Sequence, residues 1–299
     1  MHCAVCKTTS APQIPGGDVA GIVEDCADNS KFGKGDKVYG CLDTFFPYVR
    51  EGCYAQYVAA KESHLAKLPE GLGFEEAAGV PLVALTAWQG LEHLPLPPGS
   101  RALIHGGSGG VGSMAIQVAK KVKGWHVTTT CSPRNAEYCR QLGADEVVDY
   151  SSQLDLSHLA QDRPFDVVLD VMGGDVAQRT IGLVRRGGHY VSVWTNAGRW
   201  IEQAGGSGWR GKARCLADVA YWSARGLLGL GPRHSIVLIQ PNGQQLEHIA
   251  ALIQKGSLRP PRVGKVFPLA QASEAQEYFE KGQGSGKVIL RMGQEGGAG

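Results

Sequence analysis

Gly107-Ser108-Gly109-Gly110-Val111-Gly112 is the stretch that most limits what this chain can become. It directly follows the apolar run at 102–105. It directly precedes a segment whose residues Val111, Ala115, Val118, Ala119 and Val122 recur at helical spacing. A G-x-G-x-x-G turn between a strand and a helix sets the open amides of a helix N-terminus beside a ligand, which predicts a seat for a pyrophosphate. In this reading Gly107 and Gly109 give the tight turn and the close backbone approach. Gly112 lets the helix pack on the strand.

The surroundings agree. Strands are predicted at 102–105, 127–131, 146–150, 165–171, 190–194 and 234–239, alternating with helical-period segments, as in a parallel sheet covered on both faces. A helix over 135–142 is expected to stop at Gly143 in a left-handed cap. A later helix is expected to close at Arg185 and Arg186 and to turn through Gly187 and Gly188 into the fifth strand. Short alternating segments at 21–24, 36–40 and 54–59 predict a small antiparallel lobe. A similar pattern returns at 264–267 and 287–290, with a helix over 274–280 between them. The Gly- and Trp-rich stretch 196–214 is long for a connection, and it reads equally as a lid or partner surface and as a set of packing anchors.

With 299 residues, two lobes are expected. The 30 Lys and Arg nearly balance 28 Asp and Glu, with no basic track, which argues against nucleic acid as a partner. The longest apolar runs, such as 167–172, fall far short of the roughly 20 residues of a membrane helix. Of eight cysteines only Cys3 and Cys6 form a C-x-x-C pair, with no second pair at zinc-ribbon distance, so ordinary reduced thiols and no metal are expected.

An NAD site normally carries an acidic residue about 20 positions past the first glycines. Here the second strand ends Thr130-Cys131-Ser132-Pro133-Arg134-Asn135, offering a hydroxyl and a guanidinium in its place. That substitution predicts a 2′-phosphate, and hence NADPH as the cofactor.

On these residues the chain resembles the zinc-free quinone oxidoreductase branch of the medium-chain dehydrogenase/reductase superfamily. The likeness extends to Ile14-Pro15-Gly16-Gly17-Asp18-Val19-Ala20-Gly21, Gly35-Asp36-Lys37-Val38-Tyr39-Gly40, Leu85-Thr86-Ala87-Trp88, Asp166-Val167-Val168-Leu169-Asp170 and Gly286-Lys287-Val288. Within that branch, 234–243 is similar to the mitochondrial reticulon-interacting and plant plastid homologues, which implies a mitochondrion or plastid, with the cytoplasm open. The resemblance implies an α/β fold: a Rossmann doubly wound parallel sheet plus an incomplete GroES-like β-rich catalytic lobe. Residues 1–85 would form the partial GroES-like lobe and 86–255 the NADPH-binding domain. The segment 256–292 would return to the first lobe, and 293–299 would be a disordered tail.

By residue matching, Ser108, Gly109, Gly110 and Val111 would meet the pyrophosphate and Ser132 with Arg134 the 2′-phosphate. Tyr150 would lie at the adenosine end, Val193 and Trp194 would border the nicotinamide ribose, and Thr86 would touch its carboxamide. Zinc-dependent relatives carry a histidine where this chain has Gly17, so the implied chemistry is metal-free hydride transfer to a quinone or an α,β-unsaturated carbonyl. No proton donor is nominated among Tyr39, Tyr48, Tyr54 and His64. Only thirteen residues precede the Ile14 phrase, and the family's lobe is expected to start about fifty residues earlier. The expectation is therefore cofactor binding with poor turnover by this chain. The alternative is a nucleotide-binding assembly or structural subunit, with a homodimer or a protein-complex partner open.

Overall fold

The computed structural model describes residues 14–43, 52–152, 155–193, 217, 220–282 and 285–293. The chain divides into two compact units, Met1–Leu85 with Ile239–Gly299, and Thr86–Leu238.

The first unit holds a three-stranded antiparallel sheet of β1 (Asp18–Ile22), β2 (Lys37–Cys41) and β3 (Leu65–Lys67), in that order. Phe32, Val38 and Leu65 form its small apolar centre, with Val19 and Val23 packed against it. The segment 54–59, expected as a strand, is not one. The Tyr54 amide is bound to the Pro15 carbonyl and the Cys53 amide to that of Gly16, so this backbone pins the entry to β1 instead of extending a ladder. Helices α1 (Phe74–Ala78) and α2 (Pro81–Leu91) lead into the second unit.

That unit is built on a six-stranded, all-parallel sheet: β4 (Arg101–Ile104), β5 (His126–Cys131), β6 (Glu146–Asp149), β7 (Phe165–Asp170), β8 (Val184–Val193) and β9 (Arg233–Val237). Its spatial order is β6-β5-β4-β7-β8-β9, the doubly wound order of a Rossmann sheet. β7 is buried at every position, as a central strand covered on both faces must be. Leu103, Phe165, Val168, Ile181, Leu183 and Tyr190 belong to one buried apolar cluster of this unit. Helices α3 (Gly110–Gln117), α4 (Ala136–Leu142) and α5 (Asp175–Thr180) complete the crossovers.

Two expectations are corrected here. The helical period breaks after α3, because Val118–Val122 forms a π-turn whose wider i→i+5 step rotates Val122 to the surface, 40% exposed. Arg185 and Arg186 do not close a helix; they lie within β8, where Arg185 Nε reaches Asp166 Oδ1 at 2.6 Å and the ladder with β7 slips its register.

The chain then returns to the first unit with α6 (Gly243–Gln254), β10 (Val263–Pro268), α7 (Ala272–Glu280) and β11 (Lys287–Arg291). β10 and β11 pair in parallel. α6, which the sequence reading kept within the dinucleotide-binding region ending at 255, groups by compactness with the first unit. Tyr39 donates its hydroxyl hydrogen to the Leu246 carbonyl at 2.8 Å, and Lys31 pairs with Glu247 at 3.0 Å. The 196–214 stretch, Cys3, Cys6 and the tail 294–299 lie outside the described residues. Among the described residues no helix is long and apolar enough to cross a membrane.

Candidate functional site

Strand β4 ends at Ile104, and after His105 the chain turns through Gly106, at φ 67°, into α3. The Gly109 amide closes this turn on the Gly106 carbonyl at 2.9 Å. A Cβ at Gly107 would overlap Thr129 Oγ1 and stand 2.9 Å from Ile116 Cδ1, and one at Gly112 would overlap the Gly106 carbonyl. These contacts explain why the loop is glycine-rich. The left-handed residue of the turn is Gly106, one position before the Gly107 to which the sequence gives the tight turn. Gly109 is exposed and extended at the N-cap, followed by Gly110 and Val111 in the first turn, with Ser108 half-buried beside them. The leading amides of a helix have no intrahelical partner, so this turn presents N–H groups to an anion.

In this sheet the direction of winding reverses between β4 and β7, and ligands of doubly wound sheets bind outside the strand ends at such a switch point. There the two loops abut: a Cβ at Gly106 would meet Val171 Cγ2 at 3.1 Å and Met172 Sδ at 3.4 Å. Beneath them lies a polar layer that the sequence reading missed. Thr130 Oγ1 accepts from the Gly106 amide at 3.2 Å and lies 3.2 Å from His105 Nδ1. Burial lowers the pKa of His105, against the opposing pull of Asp170. The sequence signal for this layer is a polar residue at the end of each apolar strand, His105, Thr130 and Asp170.

At the other end of the seat, Ser132 follows β5 half-buried, with its Oγ accepting from Asn135 Nδ2 at 3.1 Å. Arg134 is exposed one short turn later. Tyr150, 54% exposed, follows β6, whose Asp149 stands opposite Cys131 in the ladder. Ser132, Arg134 and Tyr150 are therefore brought together at adjacent strand ends. Val193 closes β8 and is buried. Thr86 is buried in α2, the helix whose Gly90 packs on Val237, Leu169 and Val191. Trp194 and Tyr48 lie outside the described residues.

In the first unit, Asp18 is engaged at both oxygens, Oδ1 by the Leu82 amide at 2.7 Å and Oδ2 by Lys287 at 3.1 Å. Burial pushes the Cys41 thiol far up and that of Cys53 up to about 12, so both are neutral near pH 7. Burial likewise raises Tyr39, whose hydroxyl is already committed to Leu246. Burial lowers the His64 pKa. A cleft of about 1230 Å³ in this unit is lined by β1, β11 and 53–60, Tyr54 among them. Among the described residues no three His, Cys, Asp or Glu side chains converge as metal ligands.

Comparison with known proteins gives two family matches, "Alcohol dehydrogenase GroES-like domain" over residues 2–70 and "Zinc-binding dehydrogenase" over 142–290. The chain is 32% identical to "NAD(P)H oxidoreductase RTN4IP1, mitochondrial" of Danio rerio, covering 94% of this chain and 72% of that protein. It is 33% identical to "Trans-enoyl reductase pgmF" of Aspergillus terreus, over 94% of this chain and 78% of the relative. Among solved structures, the quinone oxidoreductase of Coxiella burnetii superposes with a TM-score of 0.76 at 33% identity, over 95% of this chain and 81% of the other.

Proposed function

Because the chain belongs to the medium-chain dehydrogenase/reductase family, we propose that it is an NADPH-dependent oxidoreductase that passes a hydride to a quinone or an α,β-unsaturated carbonyl, without zinc. The observation that carries this reading is the glycine loop at the switch point, with Ser132 and Arg134, and no carboxylate, directly after β5. Bound there, the cofactor would supply the hydride that reduces the acceptor. The first-turn amides at Gly110 and Val111, with Ser108 and Gly109, would hold the pyrophosphate, and the missing side chains at Gly107 and Gly112 let the loop and helix pack closely enough on β5 and Gly106 to form that seat. Ser132 and Arg134 would take the 2′-phosphate, Tyr150 would lie at the adenosine end, and Val193 and Thr86 would border the nicotinamide.

Zinc does not fit the described residues. Gly17 has no side chain, both Asp18 oxygens are occupied, and Cys41 and Cys53 are held as neutral thiols by burial. Elemental analysis after mild chelation should find far less than one zinc per chain, and a stoichiometric ion would overturn that part. The names of the relatives, an NAD(P)H oxidoreductase, a trans-enoyl reductase and a quinone oxidoreductase, support the choice of acceptor. The mitochondrial relative supports a mitochondrial location, which cell fractionation tests. The deciding experiment is calorimetric titration with NADPH and NADH, followed by NADPH oxidation against a panel of quinones and enals. Tighter NADPH binding is expected, with acceptor-dependent oxidation slow in this chain and faster in one extended by about fifty N-terminal residues. Equal affinities would remove the assignment of Ser132 and Arg134, and binding with no turnover on any acceptor by either chain would remove the reductase.

A further inference from the structure

Asp170, at the end of β7, is fully buried and belongs to none of the cofactor contacts assigned above. Its Oδ1 accepts two amides of the following loop, from Met172 at 2.8 Å and Gly173 at 2.8 Å. Its Oδ2 accepts the hydroxyl of Tyr190, also fully buried, at 3.0 Å. The loop it holds needs glycine: Gly173 and Gly174 adopt φ of 68° and 61° in succession. The start of the same loop, Val171 and Met172, abuts Gly106 of the glycine loop. One buried carboxylate therefore fixes the second wall of the crevice whose first wall is the pyrophosphate seat.

We propose that Asp170 is a positioning residue for hydride transfer, which holds loop 171–174 against the glycine loop and so seats the nicotinamide half of the cofactor. This inference rests on the cofactor reading given above. The β4-β5-β6 half of the sheet carries the glycine loop and the 2′-phosphate end, and the β7-β8-β9 half is left to the nicotinamide. A loop braced from the β7 end acts on the second half and leaves the adenosine end untouched. Without the carboxylate, the part-buried amide of Met172 and the buried amide of Gly173 lose their acceptor, and the loop must open to find another. Hydride transfer depends steeply on the orientation that such a wall imposes.

The hydrogen bonds predict which substitution is tolerated. In Asp170→Asn, Oδ1 still accepts both loop amides. Nδ2 then donates to the Tyr190 oxygen, and the Tyr190 hydroxyl turns its hydrogen to Thr180 Oγ1, 3.2 Å away. Thr180 can accept it because its own hydrogen goes to the Val176 carbonyl at 2.7 Å. Asn keeps the brace, whereas Ala removes it.

The test measures affinity for NADPH and for 2′,5′-ADP, which lacks the nicotinamide half, in the full chain and in Asp170→Ala, Asp170→Asn and Gly174→Ala. Asp170→Ala should weaken NADPH about tenfold and the fragment by less than about twofold, with Asn recovering most of the loss. Gly174→Ala strains the same loop and leaves the buried carboxylate in place, so it should reproduce the split even where Asp170→Ala fails to fold. Equal loss of both ligands in Gly174→Ala, or no loss of either, overturns the positioning role. A wild-type chain that binds NADPH while its variants leave the ratio of the two affinities unmoved overturns this inference alone. A wild-type chain that binds neither ligand overturns the cofactor reading with it.

Discussion

Gly112 and Arg134 represent opposite kinds of constraint on a single residue. A methyl group at Gly112 has to displace the Gly106 carbonyl, which is backbone and cannot rotate away. Gly112→Ala should therefore cost about 1–3 kcal/mol in urea denaturation and weaken NADPH binding along with it. At Gly109 a Cβ would meet the same carbonyl at 3.2 Å, and the Gly109→Ala penalty should be clearly smaller. Arg134 is exposed and pairs with no described residue, so Arg134→Ala should leave stability within about 0.5 kcal/mol of wild type. It should also narrow the preference for NADPH over NADH by about tenfold in paired titrations, the worth of one charge-assisted hydrogen bond. At this scale the strand, glycine turn and helix around 107–112 were legible in the sequence because glycine in that spacing has few alternative uses. Asp170 and Thr130 were not. A polar residue at a strand end gains its meaning only from the loops that the sheet places over it.

Among the elements, β4, β7 and β8 are joined at their near ends by Asp166, whose side chain is 10% exposed. It accepts the Arg101 amide at 2.8 Å and Arg185 Nε at 2.6 Å, with Arg163 at 3.4 Å. Burial alone would raise its pKa, but the Arg101 amide and the Arg185 guanidinium outweigh burial and hold it below the ordinary value. The folded-state pKa lies below the unfolded one, so this stabilisation is complete above about pH 4 and is lost as pH falls through the folded value. Asp166→Asn should lower stability at pH 7 by about 1–3 kcal/mol and flatten the acid limb of a stability–pH curve, as read by denaturant titrations. The parallel strands were legible because continuous burial writes continuous apolar runs. The π-turn after α3 and the register slip in β8 were not, because each adds a residue without changing the composition around it. The segment 54–59 misled because the Tyr54 amide goes to the Pro15 carbonyl and not to a ladder.

Across the whole molecule, burial lowers the pKa of three histidines in the second unit, His105, His189 and His234. Each is easier to protonate in the unfolded chain, so the stability they confer is full above the unfolded value near 6.5 and declines as pH drops from there toward the folded values. Melting temperature should fall between pH 7 and pH 5, and His234→Gln should reduce that slope; an unchanged slope would mean that this histidine is not protonated on unfolding. The chain enters the first unit, builds the second from one unbroken stretch, and comes back, so that Lys287 must find Asp18. In a nascent chain, Thr86–Leu238 is therefore complete while the partner of Asp18 is still untranslated. At roughly 5–20 residues per second the gap is on the order of seconds. For that interval the early half of the first unit stands incomplete, and Lys287 of β11 supplies the missing partner of Asp18 only at the end.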